Sequence, residues 1–279
     1  MQSLVLGTAQ WGGPYGITNR YGRLSDQTIE SLVRCALDLG IPRIDTASGY
    51  GDAQNRLRPW AGLFSITTKV EGSGTVTVTA QLEANCADLG VESVDTCLIH
   101  DWPSLTNEEA TEAGFQLVAL KDRGIVARVG ISVYDDADLR RAVSLFGALD
   151  VVQVPISVLD RRMARSITLE AMTDSGVQVQ GRSIFLQGLL AGRSTGGLGG
   201  HRDVRRFHDE CAEAELTPVE GATSFIRSLS WLTEVVVGVT GVDELKEIAE
   251  AWGSGQMDRL PASVESDDLD LIDPRRWEH

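Results

Sequence analysis

Asp45, Tyr50, Lys69 and His100 are the side chains whose types and spacing can do chemistry together. Asp45 closes the run RID, Tyr50 follows five residues later in TASGYG, Lys69 closes ITTK and His100 closes CLIH. A fold that gathers the ends of such runs brings all four to one mouth. A tyrosine hydroxyl titrates near about 10, and an ammonium beside it is expected to stabilise the phenolate and lower that value, making Tyr50 a proton donor near neutral pH. Lys69 supplies that ammonium, and Asp45 holds it charged and aimed at the tyrosine as an ion pair. His100 can donate a hydrogen bond to a substrate carbonyl oxygen. The set suits protonation of an oxygen that gains negative charge, which hydride addition to an aldehyde or ketone requires.

The elements that must position these groups are visible as an alternation. Short apolar runs rich in Val and Ile occupy 4–7, 43–45, 65–69, 94–99, 126–131, 151–155, 177–183 and 235–239. They lack strict alternation, as expected of parallel strands buried on both faces. Helix-like stretches at 26–39, 53–60, 77–89, 107–123, 137–146, 165–174, 218–229 and 242–251 separate them. Eight repeats of strand then helix predict an α/β chain folded as a (β/α)8 TIM barrel, one domain over 1–279, with its reactive groups at the C-terminal strand ends. A doubly wound sheet would usually carry G-x-G-x-x-G after its first strand, whereas GTAQWGGPYG lacks that spacing. Three additions to a minimal barrel are expected. A Gly-rich loop near 192–200 reads either as a mobile lid or as a plain surface connection, an extra helix falls near 204–214, and a short acidic tail at 263–279 is expected to add little to a substrate pocket.

Forty acidic against 25 basic residues give a formal charge of −15, which repels phosphate backbones and anionic membranes, so neither nucleic acid nor membrane is an expected partner. No apolar stretch approaches the roughly 18 residues needed to cross a bilayer, and MQSLVLGTAQ has no basic n-region, so the expected location is the cytoplasm. Cys35, Cys86, Cys97 and Cys211 form no C-x-x-C, and His100, His201, His208 and His279 are dispersed, so no disulfide framework and no metal are expected. The oligomeric state stays open.

The segments GTAQWG, IDTASGYGDAQNRL, LIHDWP, RVGIS, VVQVPIS, RSIFLQGLL and VVVGVTGVDELKEI, spread over nearly the whole chain, resemble the aldo-keto reductases. The resemblance implies an NAD(P)(H)-dependent barrel oxidoreductase with a catalytic tetrad at Asp45, Tyr50, Lys69 and His100. It implies a nicotinamide carboxamide site at Ser132 and Gln153, with Val133 where the family commonly has Asn. Arg182, with Ser183 beside it, stands where an aromatic usually stacks on the ring, and an arginine can stack through its planar guanidinium. Leu186, Gln187 and Gly188 would cover the pyrophosphate, and the amides of Gly241, Val242 and Asp243 could bind a phosphate at a helix start. Trp11, Tyr15 and Trp102 fall where the family builds its substrate wall, and read equally well as packing. NADP(H) is the expected cofactor and NAD(H) an admissible one, because the usual 2′-phosphate clamp is replaced by a segment holding Glu244 and a single cation, Lys246. The implied reaction is reduction of an aldehyde or ketone, or oxidation of the alcohol, on a small polar molecule such as a sugar derivative or biosynthetic intermediate. Two rivals remain on the residues alone: a redox-neutral lyase or isomerase using the tetrad as acid and base, and a non-catalytic cofactor sensor or regulatory subunit.

Overall fold

Eight parallel strands pair in chain order and close on themselves, β1 with β8. They are β1 (Ser3–Gly7), β2 (Arg43–Asp45), β3 (Ser65–Val70), β4 (Val94–Ile99), β5 (Val126–Ser132), β6 (Val151–Pro155), β7 (Gln178–Arg182) and β8 (Glu234–Gly238). The computed structural model describes residues 2–147, 149–192, 197–254, 260 and 262–277. The helices among them are α1 (Ala9–Gly12), α2 (Asp26–Asp38), α3 (Ala53–Leu57), α4 (Val78–Leu89), α5 (Asn107–Asp122), α6 (Asp136–Leu145), α7 (Ile167–Asp174), α8 (Arg202–Glu213), α9 (Pro218–Ser228), α10 (Val242–Gly253) and α11 (Leu269–Ile272). This is the (β/α)8 barrel expected from the alternation. Among the described residues no helix is long and apolar enough to cross a membrane.

Local chemistry sets the helix limits. Ser25, Thr77, Asp135 and Ser166 each cap a helix with a side-chain oxygen, and Thr106 with Glu109 and Thr217 with Glu220 close reciprocal capping boxes on α5 and α9. Each such cap stabilises its helix by about 1 kcal/mol. The stretch expected as one helix over 53–60 splits into α3 and a 3-10 segment, Arg58–Leu63, because Pro59 has no N–H to continue the ladder. The extra helix expected near 204–214 is α8, which buries Val204, Phe207 and Cys211 along one stripe.

Two departures bear on the mouth of the barrel. A short helix, α1, follows β1 directly and buries Gln10 and Trp11. The acidic tail is docked: Val264, Leu271, Ile272 and Trp277 are buried, and Trp277 Nε1 donates to the Leu271 carbonyl at 3.2 Å. Of the Gly-rich loop near 192–200, residues 193–196 lie outside the described residues, as do 278–279 of the tail.

Candidate active site

Strand ends bring Asp45, Tyr50 and Lys69 into direct contact. Asp45 closes β2, and its carbonyl accepts from the Thr8 backbone N–H and hydroxyl, both at 3.0 Å, which ties the strand end to β1. Lys69 sits one residue before the end of β3, where Asn85 of α4 holds its carbonyl at 3.1 Å. Asp45 and Lys69 are almost wholly buried, at 2% and 1% exposure. The lysine ammonium has three protons and three acceptors: Asp45 Oδ1 at 2.5 Å, the Thr46 carbonyl at 3.1 Å and the Tyr50 hydroxyl at 3.2 Å.

Tyr50 reaches this position because its loop lies against α1 without a side chain between them. A Cβ on Gly12 would sit 1.6 Å from the Tyr50 carbonyl oxygen, so only glycine allows that approach. Burial raises the Tyr50 phenol above its ordinary value, and the opposing pull of the Lys69 ammonium does not cancel it. The expectation of a lowered value is therefore reversed: the half-buried hydroxyl is neutral through the neutral range. Burial pulls Lys69 down, but Asp45 and Tyr50 outweigh it and hold the ammonium above its ordinary value.

His100 follows β4, with its N–H on the Val70 carbonyl at 2.8 Å and its ring edge-on to Tyr50 with centroids 6.1 Å apart. Its Nδ1 lies 3.2 Å from Glu71 Oε1. Glu71 is not among the residues expected at the site: it stands one position past the end of β3, and nothing in its spacing marks it.

A cleft of about 620 Å³, of the size usual for small-molecule sites, opens over these groups. Asp45, Tyr50, His100, Ser132, Gln153, Arg182, Ser183, Gln187 and Gly188 line it. Leu186, Gly241, Val242 and Asp243 do not. Leu186 is buried, and the Gly241–Asp243 turn begins α10 outside the lining. Of the three aromatics only Tyr15 lines the cleft. Trp11 and Trp102 are fully buried and belong to packing: Trp102 Nε1 donates to the Asp138 carbonyl, and the ring lies under Arg141 and against Phe146.

Three features at the cleft bear on whether it can take a dinucleotide. Gln153 spends its Nε2 protons on Asp45 Oδ2 at 2.9 Å and Gln180 Oε1 at 3.1 Å, so its Oε1 is the group it can offer to a ligand. Gln10, also in the lining, has a buried Oε1 with no partner among the described residues. Beyond β7, Ser183, Leu186, Gln187 and Gly188 all have left-handed backbone, three of them non-glycine, a strain of about 1–3 kcal/mol each. That turn is fastened across the cleft to the loop after β1, where Ile17 N–H donates to Gln187 Oε1 and the Thr18 hydroxyl to the Gln187 carbonyl at 3.0 Å. A side chain on Gly188 would overlap Thr18.

Arg182 reaches over the Tyr134 ring, its guanidinium carbon 4.2 Å from the centroid, and donates to the Val133 carbonyl at 3.0 Å. Arg275 of the tail covers Tyr134 at 3.9 Å. Tyr134, a residue that no motif in the sequence marks, lines the cleft, and through it the tail, expected to add little, bears on the pocket.

The Aldo/keto reductase family profile matches residues 3–260, and the chain belongs to that family. An aldo-keto reductase of Mycolicibacterium smegmatis is 33% identical over 132 residues, 44% of this chain, and the match spans less than half (46%) of that relative's length. A protein of Escherichia coli named NADH-specific methylglyoxal reductase is 25% identical over 87% of each chain. Among solved structures, the holo form of an aldo-keto reductase from Bacillus halodurans shares the fold with a TM-score of 0.75 at 16% identity, over 91% of this chain and 88% of that one.

Proposed function

We propose that the protein reduces a small polar aldehyde or ketone with a nicotinamide dinucleotide, NADH in preference to NADPH. The arrangement of Lys69 carries this reading. All three of its protons are given inside the protein, and the Tyr50 hydroxyl accepts one of them, so the tyrosine's own proton is left to donate into the cleft. When bound, the reduced nicotinamide supplies a hydride to the carbonyl carbon. Tyr50 gives its proton to the carbonyl oxygen as that oxygen gains charge, and the adjacent ammonium stabilises the phenolate left behind. Asp45 keeps the ammonium charged and in place. His100 orients the substrate from the same rim, and Glu71 on Nδ1 leaves Nε2 as the nitrogen that faces the oxygen. Ser132 and the free Oε1 of Gln153 hold the carboxamide.

The preference for NADH rests on the end of β8. Glu244 accepts from the Thr240 N–H at 2.7 Å and from its hydroxyl at 2.8 Å, so a carboxylate occupies the amide that could otherwise take a phosphate. Both residues line the cleft. A 2′-phosphate brought there meets like charge, whereas a ribose diol can donate to Glu244. The name of the Escherichia coli relative supports the same cofactor and makes 2-oxoaldehydes the first substrates to try.

Titration of the purified protein with NADH and with NADPH, followed by quenching of tryptophan fluorescence, tests the reading. Saturable micromolar NADH binding, followed by turnover on a panel of 2-oxoaldehydes and sugar aldehydes, is expected. Binding of neither cofactor, with conversion of a substrate in their absence, would replace it with redox-neutral chemistry at Tyr50 and Lys69.

A further inference from the structure

The interior of this barrel carries a polar ladder. Ser132, Gln153, Gln180 and Glu234 are register partners on four successive strands, β5 to β8. Ser132 ends β5, the two glutamines lie mid-strand and Glu234 begins β8, so the ladder descends from the mouth of the barrel to its floor. Gln153, Gln180 and Glu234 are 2%, 0% and 4% exposed, in a barrel interior that branched aliphatic side chains usually fill.

Its hydrogen bonds have one direction. Glu234 is a carboxylate and only accepts, so it draws Nε2 of Gln180, whose Nε2 also reaches Thr67 Oγ1 at 3.2 Å. That turns Gln180 Oε1 to face Gln153, which can meet it only with Nε2. Glu234 is held in turn by Arg43 at 3.2 Å and Arg128 at 3.3 Å, and both arginines also pair with Asp95. The other Nε2 proton of Gln153 goes to Asp45 Oδ2.

We infer that Gln180, which does not line the cleft, is a positioning residue: anchored by Glu234, it fixes the Gln153 amide with its carbonyl oxygen toward the nicotinamide end of the site. Without it, one Gln153 proton loses its partner and the Asp45 contact alone is left to set the orientation of the amide. The ligand donor that Gln153 Oε1 accepts from then faces an NH2 group in a fraction of molecules. The inference rests on the dinucleotide reading above and deepens its cofactor site.

Calorimetric titration of the full-length protein with NADH and with ADP-ribose, which lacks the nicotinamide, separates the possibilities. Wild-type protein is measured first, and failure to bind either ligand overturns the dinucleotide reading and this inference with it. Given wild-type binding, Gln180→Met is expected to weaken NADH about tenfold, leave ADP-ribose within twofold, and add nothing to the NADH defect of Gln153→Ala in the double variant. The exchange Gln180→Glu with Glu234→Gln keeps an acceptor facing Gln153 and is expected to restore NADH affinity. Where Gln180→Met does not fold, Gln180→Asn, which is too short to reach, gives the same readout. Equal loss of both ligands, no loss of NADH, or full additivity with Gln153→Ala overturns the inference while leaving the dinucleotide reading intact.

Discussion

The Tyr50 hydroxyl lies 3.2 Å from the Lys69 ammonium, and the hydrogen bond between them runs from lysine to tyrosine. Because the ammonium has already given its other protons to Asp45 and Thr46, this direction does not reverse while Lys69 stays charged. Tyr50→Phe is therefore expected to lower turnover by about 10²- to 10⁴-fold, with NADH affinity and melting temperature close to wild type. Near-wild-type turnover would remove Tyr50 from the chemistry.

The pH dependence follows from the same pair. The protonated phenol is the reactive form, and burial raises its titration above the ordinary 10.0. A raised value keeps the donor populated to higher pH, so the midpoint of the alkaline decline in carbonyl reduction should lie above pH 10. The Lys69 ammonium, held above 10.5 by Asp45 and Tyr50 against the effect of burial, does not titrate first. A pH–kcat profile for reduction at saturating cofactor measures this, and an alkaline limb centred near 8 would assign the proton to another group.

Gly12 bears on catalysis without touching the cleft. A Cβ there would meet the Tyr50 carbonyl at 1.6 Å, and the loop carrying the tyrosine must move to admit it, whereas Gly13 has open space around its Cα. Gly12→Ala should lower kcat more than tenfold with a modest change in NADH affinity, and Gly13→Ala should behave as wild type. Equal kinetics in the two variants would show that the loop adapts without moving Tyr50.

The barrel and the cluster at its mouth were legible in the sequence because eight Val- and Ile-rich runs recur between amphipathic stretches, and because Asp45, Lys69 and His100 fall at or just beyond run ends. What was not legible depends on side-chain direction and on irregular backbone. Trp102 and Tyr134 both follow strands, yet one turns inward beneath Arg141 and the other lies in the cleft between two guanidiniums. Run endings do not encode that choice. The sign of the Tyr50 shift was misjudged because a neighbouring charge can be read from sequence, whereas the depth of burial that outweighs it cannot. Gln180 was hidden for a related reason: its partners, Gln153 and Glu234, are set by register across strands distant in the chain.

Cofactor choice should move with the end of β8. Thr240→Arg combined with Glu244→Gln removes the carboxylate and adds a cation where both side chains line the cleft. A charge-assisted hydrogen bond to phosphate contributes about 1.5–3 kcal/mol, so the ratio of NADPH to NADH affinity should rise by at least tenfold. Parallel titrations of wild type and double variant measure it. An unchanged ratio would place the adenosine ribose elsewhere in the cleft.

Docking of the C-terminal tail should be sensitive to acid. Burial alone would raise Asp203 and Asp273, but hydrogen bonds from Ser266 and from Arg275, with the nearby arginines, pull both carboxylates below their ordinary 3.8. A lowered folded value means that the carboxylate contributes stability in full above about 3.8, and that this contribution is lost as pH falls through the folded value. Asp203 holds the tail through the Ser266 hydroxyl at 2.6 Å, and Asp273 fixes the Arg275 guanidinium that covers Tyr134 in the cleft. Protection factors over 262–277, taken relative to the intrinsic exchange rate at each pH, should therefore be equal at pH 5 and pH 7 and fall below pH 3.8 before those of the strands do. Asp273→Asn removes the charge at every pH, so it should speed exchange in this segment already at pH 7 and raise the KM for carbonyl substrates by disturbing Tyr134. Uniform protection of tail and barrel down to pH 3 would instead make the buried Leu271, Ile272 and Trp277 sufficient to hold the tail without either carboxylate.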